Sequence, residues 1–484
     1  MAVPETQVND KRLVAEVAGK GDYSDEPPAD QDLIRARVVL PPDWIIYPSG
    51  IEMPETLNDI RERYQVWIVA LECIKAFDIY SDSISRLQDA VTEFNQIVHD
   101  LRLRKELLAE VLTVQHCPRA DKDTRISLKL MSRPEVITPL VGPYDIPGTS
   151  AALLESLRPH LINATECLMG ASSDLRMRVH FGILKAVLRK REIPEVLTYD
   201  EFVEAAKTYS IRGGIGLHDR FSEIKLSNHI IQHLLALDGN GGIRLVKDTV
   251  RRAYSLTLRV DQKEVWLDNW NGDGEVALPQ AKMGIAMPTS YLNWVMAAPD
   301  MRIDWGLRAD EYDMESVPED LHDLIKELKL KPARYKENGN FLRPAEVIFP
   351  RPGEWKDQIR QTRLKTSFIA EIHDTPYLLE ISITQIWDKY RTKSRPRIVW
   401  GIEIYGKHWD SAMNHVDPIS RRRDWGEAQR NLWVGTDPNL WKRFQSFLEV
   451  VLHVQKHVED IPPLTEEDLE HTESEGEEQI HSKG

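Results

Sequence analysis

The sequence predicts an α+β protein of at least two domains, with an N-terminal α/β sandwich followed by a larger α+β domain that has a mainly antiparallel sheet. Three observations predict this class. Short strand-like runs and one long amphipathic helix fill the first hundred residues, strands facing each other across tight turns dominate the second half, and an apolar helical stripe ends the folded part. A sheet covered by packing helices buries the apolar faces of such elements.

Charge is distributed unevenly along the 484 residues. The net charge is −15, with residues 1–32 contributing 3 − 8 = −5 and residues 459–484 contributing 1 − 10 = −9, which leaves −1 for residues 33–458. Both ends are polar and acidic, so we expect disordered acidic tails over residues 1–32 and 459–484. The neutral middle shows no basic footprint that by itself indicates nucleic acid.

The first folded unit is expected over residues 33–115. Short apolar runs at 37–40, 66–71 and 76–80 are typical of strands, and a helix is predicted from Pro54. Apolar residues at steps of three and four between Ile84 and Leu101 predict a long helix.

This order of strands and helices resembles a K homology (KH) domain, a fold that binds single-stranded nucleic acid across a GXXG loop. The loop position falls at residues 47–50, where Tyr47 replaces the first glycine. The resemblance implies contacts to single-stranded RNA from this loop and from the helix after it. The candidate contacts are Ser49, Gly50, Arg61 and Arg63.

A proline-rich linker is predicted over residues 116–150, and a large α+β domain over residues 151–458, with a possible division into two subdomains near residue 245. Hydrophobic alternation at Met177, Val179 and Phe181 predicts a strand. Thr198 and Glu201 form a capping box. Residues 253–258 and 264–267 predict one hairpin, residues 367–373 and 377–386 predict another, and 398–405 predict a further strand.

The final helix is predicted from Asp437 as its N-cap and Pro438 as its first residue, with an apolar stripe from Leu440 to Val458. The segments 176–182, 303–305, 376–380 and 400–406 are similar to a large domain of uncharacterised fungal proteins, some of which carry a KH-like segment ahead of it. That similarity covers roughly residues 150–455 and implies no known chemistry.

Two basic clusters lie near the C-terminal end, in a region rich in tryptophan. Arginine beside exposed aromatic rings is typical of surfaces that bind single-stranded nucleic acid or a protein groove. The candidate contacts in these clusters are Arg395, Arg397, Arg421, Arg422 and Arg423. The neighbouring tryptophans are Trp387, Trp400, Trp409, Trp425, Trp433 and Trp441. The alternative is that the tryptophans are buried and the arginines are solvated.

Two groups of residues are weaker candidates for chemistry. Glu371, Glu380 and Glu403 are expected on one sheet face, where carboxylates can bind a divalent ion or act as acid and base. Glu449, His453 and His457 share one helix face at a spacing that can bind zinc, without the HExxH pattern. No glycine-rich dinucleotide loop or CxxC pair occurs, and no cofactor is predicted.

Two functional hypotheses therefore stand. The first is a non-enzymatic binding protein, either for RNA or as a protein-interaction scaffold, and the second is a metal-dependent hydrolase or transferase that uses the carboxylates of the sheet face. The three cysteines Cys73, Cys117 and Cys167 are far apart, which favours a reducing compartment, and we expect a cytoplasmic location with a nuclear one not excluded by the sequence. No apolar run is long enough to span a membrane.

Overall fold

The structure is a computed structural model of the chain. It describes residues 23, 27–28, 31–39, 54–71, 76–107, 111–129, 132–171, 173–186, 195–211, 215–222, 224–237, 243–261, 263–270, 281–332, 342–351, 353–419 and 422–461. The chain forms two compact units: unit 1 comprises Met1–Leu108 and Thr208–Gly214, and unit 2 comprises Ala109–Lys207 and Ile215–Gly484.

Unit 1 is a three-stranded antiparallel sheet with helices packed against it. Its described elements are β1 (Ile34–Val39), α1 (Pro54–Tyr64), β2 (Trp67–Leu71), β3 (Ala76–Ser81) and α2 (Ile84–Leu107). The strand order is β1-β3-β2, and both pairings are antiparallel. Ile60, Ile79 and Phe94 meet in its core, so α1, the sheet and α2 share one buried interior.

Unit 2 contains the remaining elements. Its described strands are β4 (Val111–Val114), β5 (Arg125–Ser127), β6 (Glu135–Val136), β7 (Asp174–Ala186), β8 (Val196–Thr198), β9 (Ile215–His218), β10 (Leu245–Val260), β11 (Lys263–Trp270), β12 (Lys282–Ala297), β13 (Asp304–Glu315), β14 (Lys329–Lys331), β15 (Glu346–Ile348), β16 (Ile359–Ile372), β17 (Tyr377–Asp388) and β18 (Arg397–Gly406). Its described helices are α3 (Ile146–Met169), α4 (Tyr199–Ile211, whose last residues cluster with unit 1), α5 (Ile224–Ala236), α6 (Glu319–Glu327), α7 (Trp409–Asn414) and α8 (Leu440–Glu459), with short 3-10 turns at Glu354–Asp357 and Glu427–Gln429.

Eight long strands of unit 2 close into an antiparallel barrel. The order is β11-β10-β16-β17-β18-β7-β13-β12, and β12 pairs back to β11, which completes the ring. β4 adds in parallel to β12, and β9 pairs with the end of β7. Because side chains alternate along a strand, every second residue points into the barrel.

The outward residues of the barrel strands are apolar and are covered by two hydrophobic cores. The larger core joins β7, β13, β17 and β18 to α3, α5 and α8, and Trp305, Phe368 and Phe447 are fully buried within it. The smaller core joins the ends of β10, β11 and β16 to α6. The covered outer faces hold the strands in register, so the inward side chains have fixed positions.

The predicted α+β class and the mainly antiparallel sheet are confirmed. The capping box also forms, since the backbone N–H of Thr198 donates to Glu201 Oε2 at 2.8 Å and that of Glu201 donates to Thr198 Oγ1 at 3.2 Å. The last helix begins at Leu440 rather than at Pro438, because the Asn439 side chain accepts from the backbone N–H of Trp441 and caps it.

Two features depart from the expected domain limits. Residues 116–150 pack into unit 2, where Ile126 is fully buried and β5 pairs with β8. The barrel also crosses the suggested division near residue 245, because β7 pairs with both β13 and β18. Within the described ranges, no helix combines the length and apolar character needed to cross a membrane.

Arg443 on α8 holds the loop that precedes this helix. Its buried guanidinium donates to the carbonyl oxygens of Trp433 at 2.7 Å, Asp437 at 2.7 Å and Ala428 at 2.5 Å. We predict that Arg443→Met lowers the free energy of unfolding by about 3 kcal/mol, because it leaves three carbonyls without donors. Urea denaturation followed by tryptophan fluorescence measures this effect.

The control is Lys442→Met, which changes the exposed neighbour of Arg443 on the same helix. This variant should unfold within about 0.5 kcal/mol of the unchanged protein. Equal losses in the two variants would show that the three carbonyl contacts do not carry the stability of this region.

Candidate functional site

The interior of the barrel is lined by charged side chains, which we call the lumen cluster. Along β7, the fully buried Met177, Val179 and Phe181 face the outer core, so the alternate residues point inward. The ladder register then assigns the inward residues of the other strands. The lumen cluster comprises Arg176, Arg178, His180, Glu264, Trp266, Asp268, Arg308, Asp310, Tyr312, Arg363, Lys365, Ser367, Glu380, Ser382, Glu403 and Tyr405.

Two glutamates and a lysine form the centre of the lumen cluster. Glu380 and Glu403 lie opposite each other on β17 and β18, and the Lys365 ammonium is 2.8 Å from Glu380 Oε1 and 3.2 Å from Glu403 Oε2. The Ser367 hydroxyl donates to Glu380 Oε1 at 2.6 Å. The lysine therefore occupies the place between the carboxylates that a bridging cation would need.

Electrostatics keep this centre ionised. Burial by itself would raise the pKa of Glu403, but Lys365, His180 and Arg220 together hold it well below its ordinary value. Burial by itself would lower the pKa of Lys365, and the two glutamates reverse this and raise it. An ionised carboxylate cannot donate a proton, so Glu403 is unsuited to a general-acid role.

His180 lies beside this centre with little direct bonding. Its Nδ1 atom is 3.5 Å from Glu403 Oε1 and 3.6 Å from Asp219 Oδ2, at the outer limit of hydrogen bonding. Neither ring nitrogen has a hydrogen-bond partner among the described residues, although only 6% of the residue is exposed. The buried hydroxyl of Ser382 is likewise unpartnered in that part of the chain. Buried polar groups without partners mark a place where water or a ligand group can bind.

Arginines form a second wall of the lumen, on β7 and β13. Arg178 donates to both oxygens of Asp410, at 2.8 and 2.9 Å, and its guanidinium stacks over the Tyr405 ring at 4.4 Å. Arg308 Nε is 2.9 Å from Asp310 Oδ1. Arg178 is therefore paired with a carboxylate of α7, and Arg308 with a carboxylate of its own strand, β13.

Arg176 has a more distant carboxylate partner than Arg178 and Arg308 have. Its nearest carboxylate is Asp268 on β11, which lies across the barrel at 3.8 Å. Its side chain keeps 37% of its accessible surface and that of Asp268 keeps 41%, although both point inward. Solvent therefore reaches this part of the lumen.

Of the three predicted carboxylates, the structure brings two together. Glu380 and Glu403 meet at the centre, whereas Glu371 lies further along β16 and pairs with Lys407. Sequence reasoning missed Lys365, His180 and the arginine wall. The sequence pattern that indicates a charged inner face is the alternation of Arg176, Arg178 and His180 with buried apolar residues.

The predicted RNA contacts are scattered. Arg395 and Arg397 are exposed where β18 begins, at one mouth of the barrel, and Arg397 lies in the inward row of Arg363. Arg422 is exposed. In unit 1, Arg63 is exposed and Arg61 donates to the carbonyl of Ile68 at 3.0 Å. Ser49, Gly50 and Arg421 lie outside the described residues.

Arg423 is placed where it cannot meet a ligand in solution. Its guanidinium is buried and donates to the carbonyl oxygens of Met413 at 2.7 Å and Ala171 at 3.2 Å, and to Asn414 Oδ1 at 2.8 Å. Its role in this fold is to join loops. The tryptophans expected beside it as exposed rings are largely buried, which is the alternative stated above: Trp387, Trp400, Trp409, Trp425 and Trp433.

The helical candidates for a metal site lie on α8. Glu449 accepts from Ser150 Oγ at 3.3 Å, and His457 is buried. Across the part of the chain that the structure describes, no group of three or more His, Cys, Asp or Glu side chains is arranged to hold a metal ion. The helical spacing of Glu449, His453 and His457 therefore does not amount to a metal centre here.

No protein family model and no curated protein matches this chain. Among solved structures, it is similar to the S. pombe Pct1 RNA triphosphatase, with a TM-score of 0.34 and 12% identity, over 66% of this chain and 95% of that one. The same enzyme in complex with the Spt5 CTD gives a TM-score of 0.36 and 11% identity, over the same shares of the two chains. Both TM-scores lie below 0.5, and neither similarity bears on what this chain binds.

We predict that the Lys365→Met variant becomes more stable as the pH falls from 7 to 5. In the unchanged protein, the depressed pKa of Glu403 stabilises the fold at neutral pH, and this contribution is lost as the pH falls below about 4.3. Without the ammonium, two buried carboxylates face each other and their pKa values rise, so the variant should become more stable between pH 7 and 5. Thermal unfolding across this range measures the slope.

Lys263→Met is the control, because it removes a half-exposed lysine that pairs with Glu315 outside the centre. Its stability should follow that of the unchanged protein at every pH. Adding Glu403→Gln to Lys365→Met should restore stability at pH 7, since one carboxylate then no longer opposes the other. Stability of Lys365→Met that does not change between pH 7 and 5 would contradict the proposed coupling.

Proposed function

We propose that this chain is a binding protein for a phosphorylated ligand, whose phosphate groups lie inside the barrel of unit 2. The observation that carries the proposal is the presence of inward cations that remain accessible to solvent: the side chains of Arg176, Arg220 and Arg363 keep 37%, 42% and 32% of their surface. A closed eight-stranded barrel either fills with side chains or holds one small ligand. Accessible cations in its lumen favour the second arrangement.

The chemistry of the lumen suits phosphate. Guanidinium groups present a planar fork of donors that matches phosphate oxygens, and Arg176 has only a distant carboxylate partner. Arg363, Arg395 and Arg397 extend positive charge from the lumen to one mouth. These arginines therefore line the path of a phosphorylated ligand from this mouth into the lumen.

Aromatic rings lie beside Arg176 and indicate that the phosphorylated ligand also has a flat ring. Trp266 and Tyr312 contact each other edge to face, with ring centroids 5.2 Å apart, and both belong to inward rows. Flat rings next to arginine can stack on a nucleobase while the arginine holds the phosphate. The ligand class we propose is therefore a nucleotide, either free or at the phosphorylated end of an RNA chain.

Binding is favoured over catalysis by the state of the glutamates. A hydrolase that uses Glu380 and Glu403 needs one of them to bind a metal ion or to carry a transferable proton. Lys365 occupies the space between them, and the pKa of Glu403 is lowered. The metal-dependent hydrolase or transferase remains the alternative hypothesis, favoured only by the convergence of the two carboxylates.

A KH-like role for unit 1 remains a prediction, as does a cytoplasmic location. The described elements of unit 1 support the KH-like interpretation through their order and their antiparallel β1-β3-β2 sheet. Arg63, which is exposed on α1, is the described candidate contact for RNA. A protein partner is the remaining possibility for this unit.

The proposal is tested by isothermal titration of the full chain with inorganic tripolyphosphate, a nucleoside triphosphate, and a short single-stranded RNA with either a 5′-phosphate or a 5′-hydroxyl. We expect Arg176→Gln to weaken the binding of every phosphorylated probe about tenfold or more, because a charge-assisted hydrogen bond contributes about 1.5–3 kcal/mol. Preference for phosphorylated RNA over free nucleotide would identify an RNA end as the source of the phosphate.

The matched control is Arg360→Gln, which removes an arginine of β16 that pairs with Asp261 at a hairpin end and is 56% exposed. It should bind as the unchanged protein does. Binding of 5′-hydroxyl RNA that survives Arg176→Gln and is lost in Arg63→Gln would assign RNA recognition to unit 1 instead. Phosphate release that requires added Mg²⁺ and is lost in Glu403→Gln would favour the enzyme, and no binding of any probe would reject the proposal.

A further inference from the structure

One short segment of the chain lies between the ends of β7 and β18, and its middle reaches the inner side of the barrel wall. This inner segment, residues 217–221, comprises the last two residues of β9 and the three residues after them, and it precedes α5. It is fastened to β18 by two backbone hydrogen bonds, since the N–H of Phe221 donates to the Trp400 carbonyl at 2.8 Å and that of Trp400 donates to the Phe221 carbonyl at 2.9 Å. The Phe221 ring stacks on the Trp400 indole, with centroids 4.4 Å apart.

Glycines on two neighbouring strands make room for the inner segment. Gly182 and Gly401 occupy inward positions, on β7 and β18. A Cβ atom at Gly182 would lie 2.5 Å from the His218 carbonyl oxygen, and one at Gly401 would lie 3.1 Å from the Asp219 carbonyl oxygen. The segment therefore occupies space that side chains would fill in an ordinary barrel.

The inner segment places one carboxylate among the cations of the lumen. Asp219 Oδ2 is 3.6 Å from His180 Nδ1 and 3.9 Å from Arg308 Nη1. Burial by itself would raise the pKa of Asp219, but Arg220, His180 and Arg308 lower it below its ordinary value, so the carboxylate is anionic at neutral pH. These contacts are longer than hydrogen bonds, so Asp219 lies beside His180 and Arg308 without satisfying their donors.

Asp219 differs from the acids of the lumen cluster in the kind of backbone element to which it belongs. Glu264, Asp268, Asp310, Glu380 and Glu403 belong to barrel strands, and all of them except Asp268 have ladder partners on both neighbouring strands. Asp219 belongs to a connection between a strand and a helix, which can move without breaking the barrel. A ligand can therefore displace Asp219 without disturbing a barrel strand.

We propose that the Asp219 carboxylate takes the place of the ligand's anionic group in the unliganded protein. It occupies the subsite formed by His180 and Arg308 until a phosphate displaces it. The inference rests on the proposed function and identifies the subsite and its regulation. His180, whose two ring nitrogens have no hydrogen-bond partner in the described residues, then gains one from the phosphate oxygens. The apparent affinity for phosphate is therefore the intrinsic affinity multiplied by the fraction of molecules in which the carboxylate has left the subsite.

The test is titration of the full chain with inorganic tripolyphosphate. Asp219→Asn keeps the shape of the side chain and removes its charge, and it should bind the probe about tenfold more tightly if the subsite is free in about a tenth of the unchanged molecules. Gly401→Ala, whose new methyl group would press on the segment from β18, should tighten binding in the same direction. Circular dichroism and thermal unfolding establish that each variant is folded.

Asp310→Asn is the matched control, because it removes a carboxylate that also faces Arg308, at 2.9 Å, but belongs to a strand. If it tightens binding as much as Asp219→Asn does, the gain comes from net charge and the proposed role of Asp219 is rejected. If the unchanged protein binds, Arg176→Gln weakens binding and Asp219→Asn binds no more tightly, the proposed function stands and this inference fails. Absence of binding by every variant overturns both.

Discussion

The lumen cluster depends on one constraint, which is that a charge inside a closed barrel must have a partner. Burying an isolated ion costs several kcal/mol, whereas a paired and hydrogen-bonded ion can be tolerated. Lys365 satisfies this constraint for Glu380 and Glu403 at once, and the Arg178–Asp410 pair satisfies it next to Tyr405. Lys365 thereby connects β16 to β17 and β18, in addition to the ladder hydrogen bonds that join these strands in order.

The apolar shell makes such a polar interior possible. On β7 and β17 the outward residues are Leu, Ile, Val, Met and Phe packed under α3, α5 and α8, and this burial supplies the stability that ion pairs do not. A strand with one apolar and one charged face has its register fixed, because a slip of one residue would turn every charge into the outer core. The charged lumen and the apolar shell therefore specify the same register from opposite sides.

Local patterns in the sequence predict much of this fold but not its closure. The strand at Met177–Phe181, the hairpin that turns at Asp374 and the helix of α8 follow from periodicity and turn chemistry, and Asp374 adopts the left-handed conformation at φ 58°. The convergence of Glu380 and Glu403 was predicted because both occupy the same face of neighbouring strands. The pairing of β11 with β12 and the path of residues 217–221 depend on contacts between distant segments, which no local period encodes, so Asp219 and the barrel lumen were not foreseen.

The balance of charge inside the barrel limits how a ligand can bind there. Counting Arg176, Arg178, Arg220, Arg308, Arg363 and Lys365 against Asp219, Glu264, Asp268, Asp310, Glu380, Glu403 and Asp410, six cations face seven anions in the described ion pairs of the lumen. An added phosphate would increase this excess of negative charge unless one resident anion moved away. Asp219 lies on a connecting segment and not on a barrel strand, so it can move away while the barrel remains closed and its charge partners are exchanged.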